Sequence, residues 1–238
     1  MTIVIAHRGA EPNYENTIRS FKKAMVNGIK WVELDVRVTK DGIPVVIHDD
    51  KVDRTTNGKG FVHEKSLEQL KKLRVNNDGE IPTLEEVFRL AKGRCNLLVE
   101  MKTANSMIPV IKLVREHRMR KQVVFMSFAH VLAKYSKRFT SAKAAIPIVH
   151  LPVRPLRMMR EARADILLIY YETLLAANPI SKKIIKRLHK KKKKVFVFPV
   201  NESVVFTKKQ VREFVESGVD GIVANEPIKL KKMLEAGL

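Results

Sequence analysis

Short runs of β-branched and other apolar residues alternate, from Thr2 almost to the C-terminus, with segments whose apolar positions fall three and four apart. That alternation predicts strands covered on both faces and joined by amphipathic crossover helices, that is, repeated βα units around a parallel sheet. The strand-like runs are Thr2–Ala6, Lys30–Val36, Asn96–Met101, Gln122–Phe128, Ala144–His150, Ile166–Tyr171, Lys194–Val200 and Gly221–Ala224. No Pro-, Gly- or Ser-rich linker separates them, so the expectation is an α/β fold of the closed (βα)8 TIM-barrel type, one domain over residues 1–238.

Some helix ends are written locally. Thr83-Leu84-Glu85-Glu86 has the form of a capping box and opens a helix Leu84–Ala91 that runs out at Gly93. Gly28 and Gly218 end the helices Thr17–Asn27 and Lys208–Ser217. One stretch breaks the rhythm: Pro44–His48 is strand-like but follows Val36 through only a short Thr-Lys-Asp-Gly segment, too short for a parallel crossover. It is therefore expected to fold back as a hairpin. A small insertion after the second strand, approximately residues 44–95, then carries a turn at Asn57-Gly58 and one or two helices.

Composition narrows the class. Of 238 residues, 45% are hydrophobic and 30% charged, which excludes a disordered or collagen-like chain. The lone Cys95 excludes an intrachain disulfide and a thiolate zinc cluster. No apolar run approaches the ~20 residues of a membrane-spanning helix, and the start MTIVIAHRGA has neither a basic leader nor a long apolar core. The expected compartment is the cytoplasm. Forty-six Lys+Arg against 25 Asp+Glu give a net charge of +21, which attracts nucleic acid, anionic membranes or a small anionic substrate alike. Lysines on polar helix faces read first as solvated surface, and Lys190–Lys194 as the solvated end of a helix Ile180–His189.

In such a barrel the chemistry gathers at the C-terminal ends of the strands. Those ends hold His7-Arg8-Gly9, Glu33-Leu34-Asp35, His48-Asp49 and Glu100-Met101-Lys102. Glu33 and Asp35, two apart on a strand, project to one side. With Glu100 they form three carboxylates at one mouth, a donor set that suits Mg²⁺ or Ca²⁺ rather than zinc; ion pairing with nearby lysines and arginines is the alternative. His7 and His48 lie at different strand ends around the same mouth, where one imidazole accepts a proton while the other donates. Arg8 and Lys102 add fixed positive charge for a phosphate. His63, His117, His130, His150 and His189 read as surface or structural residues.

These residues sit inside longer motifs: I-A-H-R-G-A, E-N-T-I-R-S-F, E-L-D-V-R-V-T-K-D-G, V-V-I-H-D, R-T-T-N-G-K-G, I-P-T-L-E-E-V and V-E-M-K, in order through about the first hundred residues. The set closely resembles the glycerophosphodiester phosphodiesterases. Weaker echoes, Val124–Phe128, Pro199-Val200-Asn201 and Gly218–Val223, extend the likeness almost to the C-terminus. The resemblance implies a phospholipase-C-like barrel that hydrolyses small anionic glycerophosphodiesters to an alcohol and sn-glycerol 3-phosphate with a divalent cation, Mg²⁺ or Ca²⁺ and also Mn²⁺. By motif position it implies that His7 and His48 are the acid–base pair, Glu33, Asp35 and Glu100 the metal ligands, and Arg8 and Lys102 the phosphate contacts. Glu15 and Asn16 of E-N-T would support the site, or Asn16 would simply cap the first helix.

The second half departs from the family. Phe198-Pro199-Val200-Asn201 stands where W-T-V-N is common, Asn225 where an aspartate is usual, and His189 followed by Lys190–Lys194 where a glycine is usual. These changes touch the leaving group and surface charge rather than the histidines and carboxylates. Two other readings share the scaffold: a lysophospholipase D, with Phe61, Met107, Ile108, Met158 and Met159 lining an acyl slot, and a non-catalytic barrel that binds polyanions through Lys182–Lys194. A specific nucleic-acid partner is not expected, and oligomeric state is left open by the sequence.

Overall fold

The pleat of each strand decides what the protein turns inward. In the computed structural model, which describes residues 2–150, 154–199, 201 and 203–237, nine strands are formed among the described residues. They are β1 (Ile3–Ala6), β2 (Trp31–Val38), β3 (Pro44–Val46), β4 (Asn96–Met101), β5 (Val123–Met126), β6 (Lys143–Ile148), β7 (Ile166–Tyr170), β8 (Lys194–Phe198) and β9 (Gly221–Ala224). Eight pair in parallel in the order β1-β9-β8-β7-β6-β5-β4-β2, and the Ala6–Val32 pairing of β1 with β2 closes the ring. This is the expected (βα)8 barrel. The expected hairpin is also there: β3 runs antiparallel to β2, Val45 opposite Arg37. Val200, expected to end the strand before Asn201, lies outside the described residues.

Alternate residues split between two cores. Ile5, Leu98, Val124, Met126, Ala145, Ile166, Leu168, Phe196 and Val223 fill the barrel interior, with Trp31 edge-on to Phe196 at 6.1 Å between ring centroids. Residues of the other parity, such as Val32, Leu34, Val36, Leu97 and Val99, meet the surrounding helices. By this rule Glu33 and Asp35, flanking outward-facing Leu34, point into the barrel, as does Glu100 beside inward Leu98.

Helix starts follow their capping residues. Thr17 Oγ1 accepts from Ser20 N and opens the helix Ile18–Val26, so Thr17, not Asn16, is the cap. Ser66, Thr83 and Thr207 each form a capping box. The helix Leu84–Ala91 packs against Ile18–Val26 and Met107–Glu116, and so takes the crossover place between β2 and β4. The segment before that helix has its own small core of Val45, Ile47, Val52, Val62, Leu70, Val75 and Ile81. Lys190–Lys194 spans the end of the helix Asn178–Lys190 and the start of β8, at the end of the barrel away from the strand C-termini. Its cations complement the carbonyl end of that helix.

Candidate active site

The register of β2 and β4 brings the three carboxylates together. Asp35 pairs with Glu100 across the ladder and Glu33 lies one inward step below, so one oxygen from each falls within 4.8 Å of the others, all three side chains buried. The turn after β1 holds them from the other side. Arg8 donates its backbone N–H to Glu33 Oε2 at 3.2 Å, its Nε lies 3.1 Å from Asp35 Oδ2, and its Nη1 reaches Glu15 Oε1 at 3.2 Å. Lys102, just past β4, places Nζ 2.9 Å from Asp35 Oδ1 and 2.7 Å from Glu100 Oε1. Asn16 donates Nδ2–H to Asp35 Oδ2 at 2.8 Å.

The backbone is bent to do this. Arg8 and Asn16 both adopt left-handed conformations (φ 53° and 59°), strain that side chains other than glycine tolerate only where contacts enforce it. Between them Gly9, at φ 104°, lies so close to the first helix that a Cβ would sit 2.1 Å from Ser20 Oγ. The I-A-H-R-G motif thus requires its glycine for close approach as well as for conformation.

Charge is unevenly shared. Burial pushes the Glu33 carboxyl well up from its ordinary value, and the neighbouring Asp35 and Glu100 push it further against the pull of Arg8 and Lys102. Glu100 is raised for the same reasons, burial first and Asp35 second. Burial alone would raise Asp35 too, but Lys102 and Arg8 hold it well below the usual carboxylate range. Lys102 is desolvated, yet the two carboxylates raise it and keep it charged. Ion pairing thus holds for Asp35 and Glu100, while Glu33 has a backbone N–H and the His7 ring, 3.8 Å from it, as its contacts.

The histidines flank this cluster, each steered by a second residue. His7 Nδ1 lies 2.5 Å from Asn225 Oδ1. Asn225 cannot turn its amide over, because its Nδ2 donates to the carbonyls of Asn201 at 2.8 Å and Val204 at 2.9 Å. An oxygen must therefore face His7, so Nδ1 carries the hydrogen and Nε2 is turned toward Glu33. His48 donates Nδ1–H to Asp49 Oδ1 at 2.6 Å. Burial works against ionisation of Asp49, but hydrogen bonds from Arg54 and His48 lower it to about 2.

The sequence assigns no role to Asp49 or Arg54, and the expectation that Asn225 bears on the leaving group rather than on the histidines is overturned by its contact with His7 Nδ1. Asn225 stands beside His7 because Ala6 and Ala224 pair, a register that single-strand patterns do not reveal. Asp49 was at a named strand end. Arg54 belongs to the R-T-T-N-G-K-G motif, and its guanidinium holds Glu15 in a two-pronged contact (2.9 and 2.7 Å) and Asp49 at 2.6 Å. That chain links His48 to Arg8 across the mouth. Beside the polar cluster lies a pocket walled by Met126, Phe128, Pro147, Leu168, Phe198 and Val223. Phe198 is thus the expected apolar wall. The residues offered for an acyl slot are elsewhere: Met159 is core, Met107 and Met158 pack on core, Phe61 sits under Lys51, and Ile108 is exposed. Burial raises the Cys95 thiol to about 12, which removes it from nucleophilic chemistry.

The glycerophosphoryl diester phosphodiesterase family model matches residues 7–229. The chain is 35% identical to a glycerophosphodiester phosphodiesterase of Caldanaerobacter subterraneus subsp. tengcongensis and 31% identical to one of Bacillus altitudinis, with 99% of each chain covered in both cases. Among solved structures it resembles the Thermotoga maritima glycerophosphodiester phosphodiesterase (TM-score 0.82, 26% identity, 98% of both chains). It also shares the fold of an Oleispira antarctica phosphodiesterase solved with the product sn-glycerol 3-phosphate (TM-score 0.87, 24% identity, 99% and 97% of the two chains). On sequence over nearly its whole length, and with the site set where the strand ends place it, the chain belongs to the glycerophosphoryl diester phosphodiesterase family.

Proposed function

We propose that this protein hydrolyses glycerophosphodiesters to an alcohol and sn-glycerol 3-phosphate, with His7 and His48 as the acid–base pair and a divalent cation held by Glu33, Asp35 and Glu100. The observation that carries the reading is the convergence of three buried carboxylate oxygens within 4.8 Å of one another, flanked by two histidines whose tautomers are each set by a partner. The carboxylates fit a hard cation such as Mg²⁺, Ca²⁺ or Mn²⁺: the donors are all oxygen, and Glu33 is burdened by its neighbours' charge. Bound there, the ion supplies positive charge for the phosphate oxygens.

The rest of the chemistry belongs to the chain. Arg8 and Lys102 bind the phosphate and balance the charge that grows on its oxygens. One histidine takes the proton of the attacking oxygen at Nε2 and the other gives a proton from Nε2 to the departing alkoxide, each ring held by its Nδ1 contact. Asn16 and Glu15 hold Asp35 and Arg8 in place. The apolar wall at Phe128 and Phe198 excludes water from one side of the mouth.

The test is release of glycerol 3-phosphate from a panel of glycerophosphodiesters with Mg²⁺, Mn²⁺, Ca²⁺ or chelator, beside a matched lysolipid. Turnover of the water-soluble diesters that chelator abolishes is the expected result. Faster turnover of the lysolipid would move the reading to a lysophospholipase D, and silence on every diester with every cation would overturn it.

A further inference from the structure

We propose that the face of the barrel carrying the active site docks on an anionic phospholipid bilayer. The first observation is where the exposed apolar side chains lie. In this fold the strand C-termini, the loops after them and the N-termini of the following helices share one end of the molecule. Among the described residues ten large apolar side chains are exposed, and six of them, Ile108, Phe128, Val131, Val149, Ile180 and Val205, are at that end. Phe128 and Val149 follow β5 and β6, Val205 lies in the segment after β8, and the others stand in the first turns of helices. Scattered apolar residues need no explanation, but six of ten gathered at the end of the barrel that carries the site mark a contact surface.

The second observation is charge of the wrong sign for helix stability. Acidic residues are the ones favoured at helix N-termini. Glu85 and Glu86 open Leu84–Ala91, Glu172 opens Tyr171–Ala176 and Glu226 caps Pro227–Glu235, but the helices Met107–Glu116, His130–Thr140, Pro155–Glu161, Asn178–Lys190 and Lys208–Glu216 have no acidic residue in the first turn. Lys208 and Lys209 instead occupy the first two positions of one, and exposed Arg154 precedes another. Arg154, Lys208 and Lys209 stand against that local rule on the face that carries the exposed apolar residues, and such departures point to function. Cations interleaved with exposed aliphatic side chains match a bilayer with anionic headgroups over an acyl interior.

The same observations weigh against other occupants. A second copy would bring together two chains of net charge +21. Single-stranded nucleic acid is held by stacking on aromatic rings, whereas five of the six exposed apolar residues at this end are aliphatic. The Lys190–Lys194 run is at the opposite end and takes no part. Among the described residues no helix is long and apolar enough to cross a membrane, so the contact is peripheral.

The experiment is co-sedimentation of the intact protein with vesicles of mixed phosphatidylglycerol and phosphatidylcholine, against phosphatidylcholine alone, at rising salt. Two face variants, Val131→Ser/Val149→Ser/Ile180→Ser and Lys208→Glu/Lys209→Glu, are set beside opposite-end controls, Val26→Ser/Val215→Ser and Lys190→Glu/Lys191→Glu. Thermal midpoints confirm that each variant is folded, and binding is read without reference to turnover. A lysine near an anionic surface is worth about a fivefold change in affinity. Wild type should bind only the anionic vesicles, the lysine reversal should weaken binding by about tenfold or more, the serine triple should weaken it clearly, and the controls should match wild type. Four results would each overturn the proposal: no binding by wild type, equal loss in the controls, no effect of the serine triple, or a lipid-free dimer that the face variants dissociate.

Discussion

Replacing Glu33 by Gln should stabilise the cation-free protein while ending its response to cation. Like charges within 4.8 Å repel by about 3.5 kcal/mol per pair at an effective dielectric constant of about 20. Asp35 and Glu100 together thus press on Glu33 by about 7 kcal/mol, and Arg8 and Lys102 offset part of that. A residue of about 1–2 kcal/mol, the ordinary size of a single-site effect, raises the melting temperature of a chain this long by roughly 2–8 °C. A carboxyl whose folded pKa is raised favours folding fully below its unfolded value and loses that benefit as pH rises through the folded value. The advantage of Glu33→Gln should therefore be full only above that raised folded value and vanish as pH falls toward the ordinary value of 4.5. Added cation at about 100 times its dissociation constant should stabilise wild type by about 2.7 kcal/mol, and the variant by much less. Scanning calorimetry in chelator and in Mg²⁺ measures both. A variant that melts below wild type in chelator, or gains as much from Mg²⁺, would refute the reasoning.

Gly9→Ala should destabilise by about 3 kcal/mol or more, since its Cβ would meet Ser20 at a positive φ; urea unfolding measures it, and a loss under about 1 kcal/mol would contradict that close approach. Asn225→Leu removes the oxygen that sets the His7 tautomer and should lower kcat roughly 10- to 100-fold with KM little changed, whereas Asn225→Asp should retain most turnover; equal losses would show that the amide acts only in packing. Asp49, lowered to about 2 from 3.8, contributes stability that is present above its unfolded value and is lost as pH falls through about 2. The urea midpoint of Asp49→Asn should therefore lie below that of wild type at neutral pH and converge with it in that acid window; a constant gap would point elsewhere.

The carboxylates and histidines were legible in the sequence because the barrel places strand ends together whatever the loops do. Glu33 and Asp35 needed only the two-residue pleat, and Glu100 only the next strand. What stayed hidden depends on register and on the segment after β3. Asn225 reaches His7 through the β1–β9 pairing, and Arg54 reaches Glu15 from a turn thirty-nine positions away, a contact that no local pattern encodes. The role of Asn16 was ambiguous because Asn and Thr are both good caps; the structure gives the cap to Thr17 and frees Asn16 for Asp35. Strand ends shifted by a residue or two, as at Gln122–Phe128, which stops at Met126 where Ser127 turns its hydroxyl onto Met101 O.

Phosphorus NMR of a single glycerophosphodiester incubated in Mg²⁺ with wild type, His7→Ala, His48→Ala and Glu33→Ala tests the assigned histidines and carboxylate most directly. Wild type should convert the diester signal to that of glycerol 3-phosphate, and each variant should lose about 10²-fold or more in rate while staying folded. Persistent conversion by the folded variants, or an unchanged diester with wild type, would contradict those assignments.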